Sequence, residues 1–336
     1  VLDYPFVFSS YPSLDLSSKI LIQAAIKRGY AFDVLDEASN FITLKDPITH
    51  QKQLIMQATK TNLDGYASVL AMENKAVSKH ILSNHSIRVP KGGVYTEIPD
   101  VSLYEDKSIV IKPNSTNFGE GISIFPDGTK ANELKQAFEF AFSKDSTVLV
   151  EEFIKGREYR FLVIDQKVVG VLHRRAANVV GDGINSILEL IAEKNTHPYR
   201  GKNYTTPLEV IEVDELVLSF LKLQGRTLND IPSKGEVVSL RENSNISTGG
   251  ESVDVTDETH QDYKDIAIKA AKAFGVSVSG IDIIIDDISK PASNDDYSVL
   301  ELNFNPAIHI HTYPLVGKNR YPADILLNAL FEKEVR

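Results

Sequence analysis

Two segments near the C-terminal end place oxygen-bearing side chains in otherwise apolar strands. In VLELNFNPA, Glu301 and Asn303 are two residues apart, so both project from the same face of a strand. Upstream, Asp282 interrupts the apolar run SGIDIII, where an unpaired carboxylate is costly. Carboxylate and amide oxygens suit Mg²⁺, which proteins bind through one or two carboxylates plus substrate phosphates. If adjacent strands bring Asp282 beside Glu301, these residues form a Mg²⁺ site; a hydrogen-bonded structural cluster is the alternative.

A polar loop with two glycines follows another strand. The strand SIVIKP leads through Lys112 into NSTNFGEGIS, where Gly119 and Gly121 let the backbone approach a ligand closely. The loop also carries hydroxyl and amide groups on Ser115, Thr116 and Asn117. This arrangement favours a phosphate clamp, although it lacks the G-x-x-x-x-G-K-[ST] pattern of a P-loop. The alternative is a hairpin turn with a lysine that extends into solvent.

The segment VLVEEFIKGREYR adds a candidate nucleoside site. A buried strand runs into Glu151 and Glu152, then into the apolar pair Phe153 and Ile154, with Glu158 four residues further on. Backbone groups beside apolar side chains can read an adenine edge, and a later carboxylate can accept hydrogen bonds from ribose hydroxyls. An ordinary acidic strand end is the alternative.

Arginines and amides mark two candidate substrate segments. The polar stretch SLRENSNISTGGE carries Arg241, Asn243 and Asn245, which offer a guanidinium for phosphoryl oxygens and donors for an acid substrate. In HRRAANVV, we expect one of Arg174 and Arg175 to point towards a substrate carboxylate or phosphate and the other to be solvated.

Two histidines follow the candidate metal strand. His309 and His311 form an H-x-H pattern that suits a transition metal. Because no third nitrogen ligand is near in the sequence, we favour a role in a substrate pocket or in packing.

Composition narrows the class of protein. The chain has 336 residues, of which 42% are hydrophobic and 24% charged, as in an ordinary soluble globular protein. Its net charge of −10 argues against a broad nucleic-acid surface, and no apolar run reaches the ~20 residues of a membrane helix. The absence of cysteine excludes disulfides and thiolate metal sites and suits a cytoplasmic location. The chain begins with Val1, which led us to expect a domain of a longer polypeptide.

Hydrophobic periodicity predicts alternating helices and strands, with a linker near residues 59–65. The predicted helices are Leu16–Arg28, Glu73–Ser83, Asn132–Phe142, Ile187–Lys194, Glu215–Leu223 and Tyr263–Phe274. The predicted strands are 5–10, Ala31–Leu35, Asn40–Leu44, Ser108–Pro113, Thr147–Ile154, Arg160–Ile164, Val168–His173, Val237–Arg241, Ser279–Ile285 and Ser298–Asn303.

The order of these motifs resembles the ATP-grasp ligase superfamily. The resemblance begins with Lys75 in MENKAVSKHIL, continues through IVIKP and VEEFIKGREYR, and ends with the aspartate and ELN of the candidate metal site. The longer strings RRAANVVGDGINSILELIAEKNTHPYRG, LRENSNISTGGESVDVTDETH and LELNFNPA resemble the C-terminal glutathione synthetase module of bifunctional glutamate–cysteine ligase/glutathione synthetase proteins.

This resemblance implies an α+β ATP-grasp fold in three parts. We expect a small N-terminal α/β unit, similar to a pre-ATP-grasp domain, over residues 1–70, and a small ATP-grasp subdomain with the phosphate-covering loop over 71–150. The large subdomain with the metal site would then span residues 151–336 and carry a lid-like insertion over 178–235.

The resemblance also implies roles for individual residues. Lys75 and Lys112 would contact ATP phosphates under the closing loop, and residues 151–154 would form the adenine hinge with Glu158 at the ribose. Two Mg²⁺ ions, with Mn²⁺ as a substitute, would bind Asp282, Glu301 and Asn303, and Glu301 would bridge them. An arginine often precedes the metal aspartate by two positions in these ligases; here that residue is Gly280, which leaves phosphoryl stabilisation to Arg241.

The implied reaction joins γ-glutamylcysteine to glycine with ATP, through an acyl phosphate. An upstream glutamate–cysteine ligase domain is the implied partner, and the oligomeric state stays open, a homo-oligomer included. A ligase similar to cyanophycin synthetase is one alternative, although the metal strand of that family reads more like E-V-N-A-x-P-G. A non-catalytic nucleotide-binding module is the other, and the intact set of lysine, arginine and metal residues argues against it.

Overall fold

The computed structural model describes residues 10–116, 119–293 and 296–332. These residues form two compact units. Unit 1 comprises the described parts of Val1–Leu63, Arg160–Asp257 and Asn305–Arg336, and unit 2 comprises those of Asp64–Tyr159 and Glu258–Phe304. One boundary between the units falls between Leu63 and Asp64, within the predicted linker. The division into parts 1–70, 71–150 and 151–336 stays a prediction.

Helices and strands alternate along the described chain. The α-helices are α1 (Leu16–Lys27), α2 (Tyr66–Glu73), α3 (Lys75–Asn84), α4 (Ala131–Phe142), α5 (Ile187–Asn195), α6 (Glu215–Leu223), α7 (Gln261–Phe274), α8 (His309–Thr312) and α9 (Pro322–Phe331). The strands are β1 (Ala31–Asp36), β2 (Phe41–Lys45), β3 (Lys52–Met56), β4 (Gly92–Tyr95), β5 (Ile109–Pro113), β6 (Ser123–Phe125), β7 (Val148–Glu152), β8 (Arg157–Ile164), β9 (Lys167–Arg175), β10 (Asn178–Val180), β11 (Arg200–Gly201), β12 (Leu208–Glu209), β13 (Val237–Ser239), β14 (Glu251–Asp254), β15 (Val278–Ile285) and β16 (Tyr297–Asn303). No helix among the described residues combines the length and apolar character needed to cross a membrane.

The first part of unit 1 is a helix followed by a three-stranded sheet. Helix α1 begins where the Asp15 carboxylate accepts a hydrogen bond from the Ser18 backbone N–H at 2.7 Å, an N-cap that satisfies one of the free donors of the first turn. Strands β1, β2 and β3 pair antiparallel in chain order. At the end of the helix, Arg28 forms an ion pair with Asp324 of α9 at 3.1 Å.

The segment predicted as a lid-like insertion has a hydrophobic core of its own in unit 1. Strands β10 and β13 pair antiparallel, and helices α5 and α6 contribute apolar faces to the same cluster. The buried members are Ala177, Val179, Ile187, Leu190, Ile191, Ile211, Val217, Leu221, Val238 and Leu240. Helix α5 starts with the capping box formed by Ser186 and Glu189, which fixes its first turn.

Unit 2 contains a four-stranded antiparallel sheet in the order β4-β7-β5-β6. One face of the sheet packs against α4, whose apolar residues recur at helical spacing. The buried members of this core are Ile109, Ile111, Leu134, Ala137, Phe138, Ala141, Val148 and Val150. Strands β5 and β7 pair antiparallel, with Lys112 opposite Leu149 and Glu151 opposite Val110, so Lys112 and Glu151 are two positions apart along the pair.

Strands β15 and β16 form an antiparallel pair in unit 2. Their register places Asp282 opposite Glu301 and Gly280 opposite Asn303. The register shifts between Asp282 and Ile283, because Ile283 pairs with Val299 and Leu300 is the extra residue of a β-bulge.

The predicted helix Glu73–Ser83 is wrong in its first turn. The structure has two helices there, α2 and α3, separated at Asn74. Asn74 adopts an extended backbone conformation, and its side-chain oxygen caps α3 by accepting from the Val77 N–H at 3.0 Å. The other predicted helices and the predicted strands within the described residues are confirmed to within a few residues, whereas most of the predicted strand 5–10 lies outside them.

Candidate active site

Helix α3 directs two lysines towards the same part of unit 2. Lys75 is its first residue and Lys79 lies one turn later, so both project from one face. The Lys75 ammonium donates to the backbone carbonyl of Thr116 at 2.7 Å and to that of Asn114 at 3.4 Å. Burial lowers the pKa of Lys75, and the nearby Glu301 carboxylate opposes that effect. Glu301, a candidate metal ligand, is therefore close enough to interact electrostatically with Lys75.

Two lysines hold the carboxylate of Glu151 at the end of β7. Lys79 Nζ is 2.8 Å from Glu151 Oε1, and Lys112 Nζ is 2.9 Å from Glu151 Oε2. We call these three residues the lysine–glutamate cluster. The register of β5 and β7 places Lys112 opposite Leu149, which is two residues before Glu151. The pairing of the two strands therefore sets the distance between Lys112 and Glu151.

The lysine–glutamate cluster is shielded from solvent. Burial raises the pKa of Glu151, but Lys112 and Lys79 more than offset this effect and lower it overall. Burial likewise lowers the pKa of Lys79 to about 8, against the attraction of Glu151. The alternative of a lysine extending from a hairpin into solvent does not describe Lys112, whose side chain is 10% exposed.

The loop with the two glycines connects β5 to β6 as a hairpin. The Ser115 backbone N–H donates to the Asp145 carboxylate at 2.8 Å, and the Thr116 hydroxyl donates to the Glu120 carbonyl at 2.8 Å. Gly119 and Gly121 both have φ of +79°, a left-handed conformation that favours glycine. Asn117, which the sequence assigns to nucleotide binding, lies outside the described residues.

The predicted adenine hinge follows β7 as an extended segment. The Glu152 carboxylate accepts from the Lys91 N–H at 3.0 Å, and the Phe153 N–H donates to the Ser108 carbonyl at 3.0 Å. Phe153 and Ile154 are half-buried, as is Glu158 near the start of β8. The assignment of this segment to adenine stays a prediction.

The three predicted metal residues come together on β15 and β16. Asp282 is 1% exposed, while Glu301 and Asn303 are half-buried. The Asn303 amide nitrogen donates to Asp282 Oδ2 at 3.2 Å and lies 3.4 Å from Glu301 Oε1. The oxygens of both carboxylates therefore converge on one amide group.

The set of Asp282, Glu301 and Asn303 fits a hard divalent cation better than a transition metal. Its donors are two carboxylates and an amide, and a half-turn of the Asn303 amide would replace its nitrogen by an oxygen next to the carboxylates. The residues described form no group of three or more histidine or acidic side chains placed to hold a metal. A cation here would thus need further oxygens, such as those of phosphates.

Arg241 lies in unit 1, where it contacts the cap of α6. Its Nη2 donates to Asp214 Oδ2 at 2.6 Å, and the side chain is 5% exposed. Asp214 also accepts from the N–H groups of Leu216 and Val217 and so begins α6.

The amides of the same polar stretch close a turn. Asn243 Oδ1 accepts from the Asn245 N–H at 3.2 Å and from the Thr248 hydroxyl at 2.9 Å. The turn ends at Gly249, which has φ of +89°. Asn243 and Asn245 thus stabilise the loop and remain half-buried.

The paired arginines of β9 differ in exposure. Arg174 is half-buried and Arg175 is exposed, and they pair with Ser252 and Glu251 of β14. Which of the two faces a substrate stays a prediction.

Both histidines of the H-x-H pattern are buried in unit 1. His309 Nδ1 lies 2.8 Å from the Ser17 hydroxyl. Neither ring nitrogen of His311 has a hydrogen-bond partner among the described residues, and a Cβ added at Gly170 would lie 2.8 Å from His311 Nδ1. The packing role that the sequence leaves open describes His309 well.

Lys79 and Asp145 are site residues that sequence reasoning missed. Lys79 was predictable as the position one helical turn after Lys75, because both must share a face of α3. Asp145 carries no such signal, because it lies in the loop after α4 and meets Ser115 only through the fold.

Comparison with known families identifies the fold family of the chain. The sequence matches the RimK-like ATP-grasp domain over residues 72–183 and 229–314, and an ATP-grasp-like domain over residues 13–67. The chain belongs to the RimK-like ATP-grasp family. The mixed sheets and helices described above are thus an ATP-grasp fold, as predicted from the motif order. The segment between the two RimK-like matches falls within the predicted lid-like insertion.

Relatives of this ATP-grasp chain carry names from glutathione biosynthesis. The "Glutathione biosynthesis bifunctional protein GshAB" of Clostridium perfringens is 50% identical over 97% of this chain, and that of Desulfotalea psychrophila is 45% identical over 98%. The crystal structure of a bifunctional glutathione synthetase from Pasteurella multocida is similar with a TM-score of 0.75 and 39% identity over 97% of this chain. The chain covers 42% of each of the two relatives and 45% of the solved chain, so it spans less than half of their length.

Proposed function

We propose that this chain is an ATP-dependent ligase that joins γ-glutamylcysteine to glycine, with release of glutathione, ADP and phosphate. The observation that carries this proposal is the 50% identity over 97% of the chain to one segment of a bifunctional glutathione biosynthesis protein. Membership of the ATP-grasp family supports the choice of the ATP-grasp step for this segment.

The residues of unit 2 supply a nucleotide site in this proposal. Lys75 and Lys112 bind the phosphates of ATP, and the loop from Ser115 to Ser123 closes over them. The Glu151 side chain binds the two lysines, and backbone groups of residues 151–154 recognise the base. Glu158 accepts hydrogen bonds from the ribose.

We assign Asp282, Glu301 and Asn303 to Mg²⁺; they would hold two ions, with Glu301 as a ligand of both, and Mn²⁺ would be able to substitute. The oxygen-only donor set and the convergence of both carboxylates on Asn303 support this assignment. When bound, the metal neutralises phosphate charge as the γ-phosphoryl group transfers.

The reaction proceeds in two steps. A carboxylate oxygen of γ-glutamylcysteine attacks the γ-phosphorus of ATP, the bond to the β-γ bridging oxygen breaks, and ADP leaves. The glycine amine then attacks the carbonyl carbon of the acyl phosphate, loses a proton and displaces phosphate. Lys75 and Lys112 lower the barrier of the first step by holding the phosphates in place, since this chemistry depends mainly on positioning and charge.

Residues of unit 1 are assigned to the acid substrate and to the phosphoryl group. We propose that Arg241 stabilises the transferring phosphoryl group, although in this structure its guanidinium holds Asp214. Arg174 or Arg175 pairs with a substrate carboxylate, while Asn243, Asn245 and His311 line the substrate site. These assignments rest on residue chemistry and on the family resemblance.

The setting of the enzyme is also part of the proposal. The relatives are bifunctional and more than twice as long as this chain, which supports an upstream glutamate–cysteine ligase domain on the same polypeptide. We propose that the enzyme works in the cytoplasm, and a homo-oligomer is compatible with the proposed function.

The test is ADP release measured with each substrate omitted in turn. Mg-ATP, γ-glutamylcysteine and glycine together should give ADP and glutathione in equal amounts, and removal of either amino substrate should stop turnover. Binding of ATP with no ADP release under any combination would indicate a non-catalytic module. Turnover with other amino acids but not with glycine would indicate a different ligase.

A further inference from the structure

The proposed function gives Lys79 no role, yet this residue pairs with the same carboxylate as Lys112. Its ammonium lies 2.8 Å from Glu151 Oε1 and donates to the Pro90 carbonyl at 3.3 Å. Its side chain is only 13% exposed, and that of Glu151 only 4%. A lysine buried to this extent is costly unless its charge is paired.

The lysine–glutamate cluster carries one more positive charge than negative. Lys79 contacts one oxygen of the Glu151 carboxylate and Lys112 contacts the other. The single negative charge of Glu151 is therefore shared between two ammonium groups. The positive charge of Lys112 is only partly compensated and can attract an anion.

We propose that Lys79 is a positioning residue, which occupies one oxygen of Glu151 so that Lys112 remains free to attract the phosphates of ATP. This inference rests on the proposed function, because it takes ATP as the anion. It assigns Lys79 no contact with the nucleotide and no part in the chemical steps.

The physical reason is the low polarity around Glu151. A carboxylate that is 4% exposed cannot rely on water to compensate its charge, so it draws on the nearest cations. Without Lys79, Glu151 would depend on Lys112 alone, and the pair would be neutral overall. The pair of Lys112 and Glu151 would then exert no net attraction on an approaching anion.

The experiment measures Mg-ATP affinity by calorimetry for three variants. Lys79→Met keeps the length of the side chain and removes its charge, and it should weaken ATP binding by about tenfold or more. Lys135→Met makes the same change at an exposed residue of α4 in the same unit, and it should leave the affinity within about twofold.

The third variant restores the charge balance. Lys79→Met combined with Glu151→Gln leaves Lys112 as the remaining charge of the cluster, with the same net charge as the wild type. It should recover ATP affinity to within about threefold of the wild type. A lysine that touched the phosphates itself would leave this double variant as weak as the single one, and that result would contradict the proposal.

Other outcomes are equally decisive. A folded Lys79→Met chain that binds ATP like the wild type shows a merely structural role and overturns the inference. A melting curve shows whether Lys79→Met folds. If it does not, the double variant provides the test, because it leaves no buried carboxylate unpaired. Lost ATP binding in a folded double variant contradicts the inference. A wild-type chain that binds no ATP contradicts the proposed function itself.

Discussion

At the residue scale, the site combines carboxylates that repel one another with lysines that attract anions. Asp282 and Glu301 are opposite each other in the pairing of β15 with β16, and the Asn303 amide nitrogen lies within hydrogen-bonding distance of both carboxylates. Two carboxylates this close favour a bound cation, which the chemistry of ATP requires.

Glu301→Ala should lower kcat by well over tenfold, because the variant loses an oxygen donor of the proposed Mg²⁺ site. Far-UV circular dichroism should stay native, since Glu301 is half-buried and makes no helix cap. Glu139→Ala on the exposed face of α4 is the matched control and should keep full activity. Retention of more than about a tenth of wild-type kcat, about 1.4 kcal/mol of barrier, would show that Glu301 is not a metal ligand.

Arg241→Lys should lower kcat by about 10²–10³ and leave ATP affinity within a few-fold, if Arg241 stabilises the transferring phosphoryl group. A planar guanidinium can bridge two phosphoryl oxygens, whereas an ammonium makes one point contact. The ion pair with Asp214 defines the competing role as an anchor for α6. In that role the variant would show a lower melting temperature with near-normal turnover, so kcat, affinity and melting temperature together decide.

At the element scale, the β5–β6 hairpin carries the loop that is proposed to close over the phosphates. Contacts to the described part of its loop include Lys75 to the Thr116 carbonyl, the Ser115 N–H to Asp145, and the Thr116 hydroxyl to the Glu120 carbonyl, while β5 itself lies between β7 and β6. Few backbone hydrogen bonds within a loop imply low local stability. A bound triphosphate would add contacts where the loop now has few.

Mg-ATP should therefore slow hydrogen exchange in peptides covering residues 114–123. Closure orders backbone N–H groups that are otherwise accessible, so slower exchange by about tenfold or more is expected there. Peptides from α4, which is already packed on the sheet, serve as the internal control and should change little. Equal exchange with and without saturating Mg-ATP would contradict the clamp.

At the scale of the whole molecule, buried histidines link folding to pH. Burial lowers the pKa of His309 from its ordinary 6.5 to about 4, and burial, reinforced by Arg160, lowers that of His311 to about 3. Both rings are neutral when folded, whereas the unfolded chain binds protons below pH 6.5. Their contribution to stability is thus complete above pH 6.5 and is lost as the pH falls towards 4 and then 3.

His311→Phe should reduce the loss of unfolding free energy between pH 6.5 and 4. The variant removes one of the two titrating groups and two buried nitrogens that lack a partner among the described residues. The free energy of unfolding at pH 5 should therefore rise by an amount on the order of 1–3 kcal/mol. Urea unfolding of the wild type and the variant across this range measures the difference. The exposed His80→Gln is the control and should leave the pH dependence unchanged. Parallel curves for wild type and His311→Phe would contradict the proposed role of burial.

The sequence by itself determined the elements and the kind of chemistry. Helices such as α6 and strands such as β16 follow from the spacing of apolar residues along a few turns or pleats, which is local information. An acid within an apolar strand, as at Asp282, likewise indicates a site before any fold is known, because burial without a partner is costly. The first turn of the predicted helix Glu73–Ser83 was wrong because Asn74 both ends one helix and begins the next.

Only the tertiary structure decided which charges meet. Lys79 and Glu151 are 72 positions apart along the chain, and their contact depends on how α3 lies against the end of β7. Arg241 and Asp214 meet in the same way, through the packing of the insertion around its own core. The register of β15 on β16 includes a bulge at Leu300, and a shift of one residue would turn Asp282 and Glu301 to opposite faces. Ion pairs and strand registers depend on distant segments, so no local pattern specifies them.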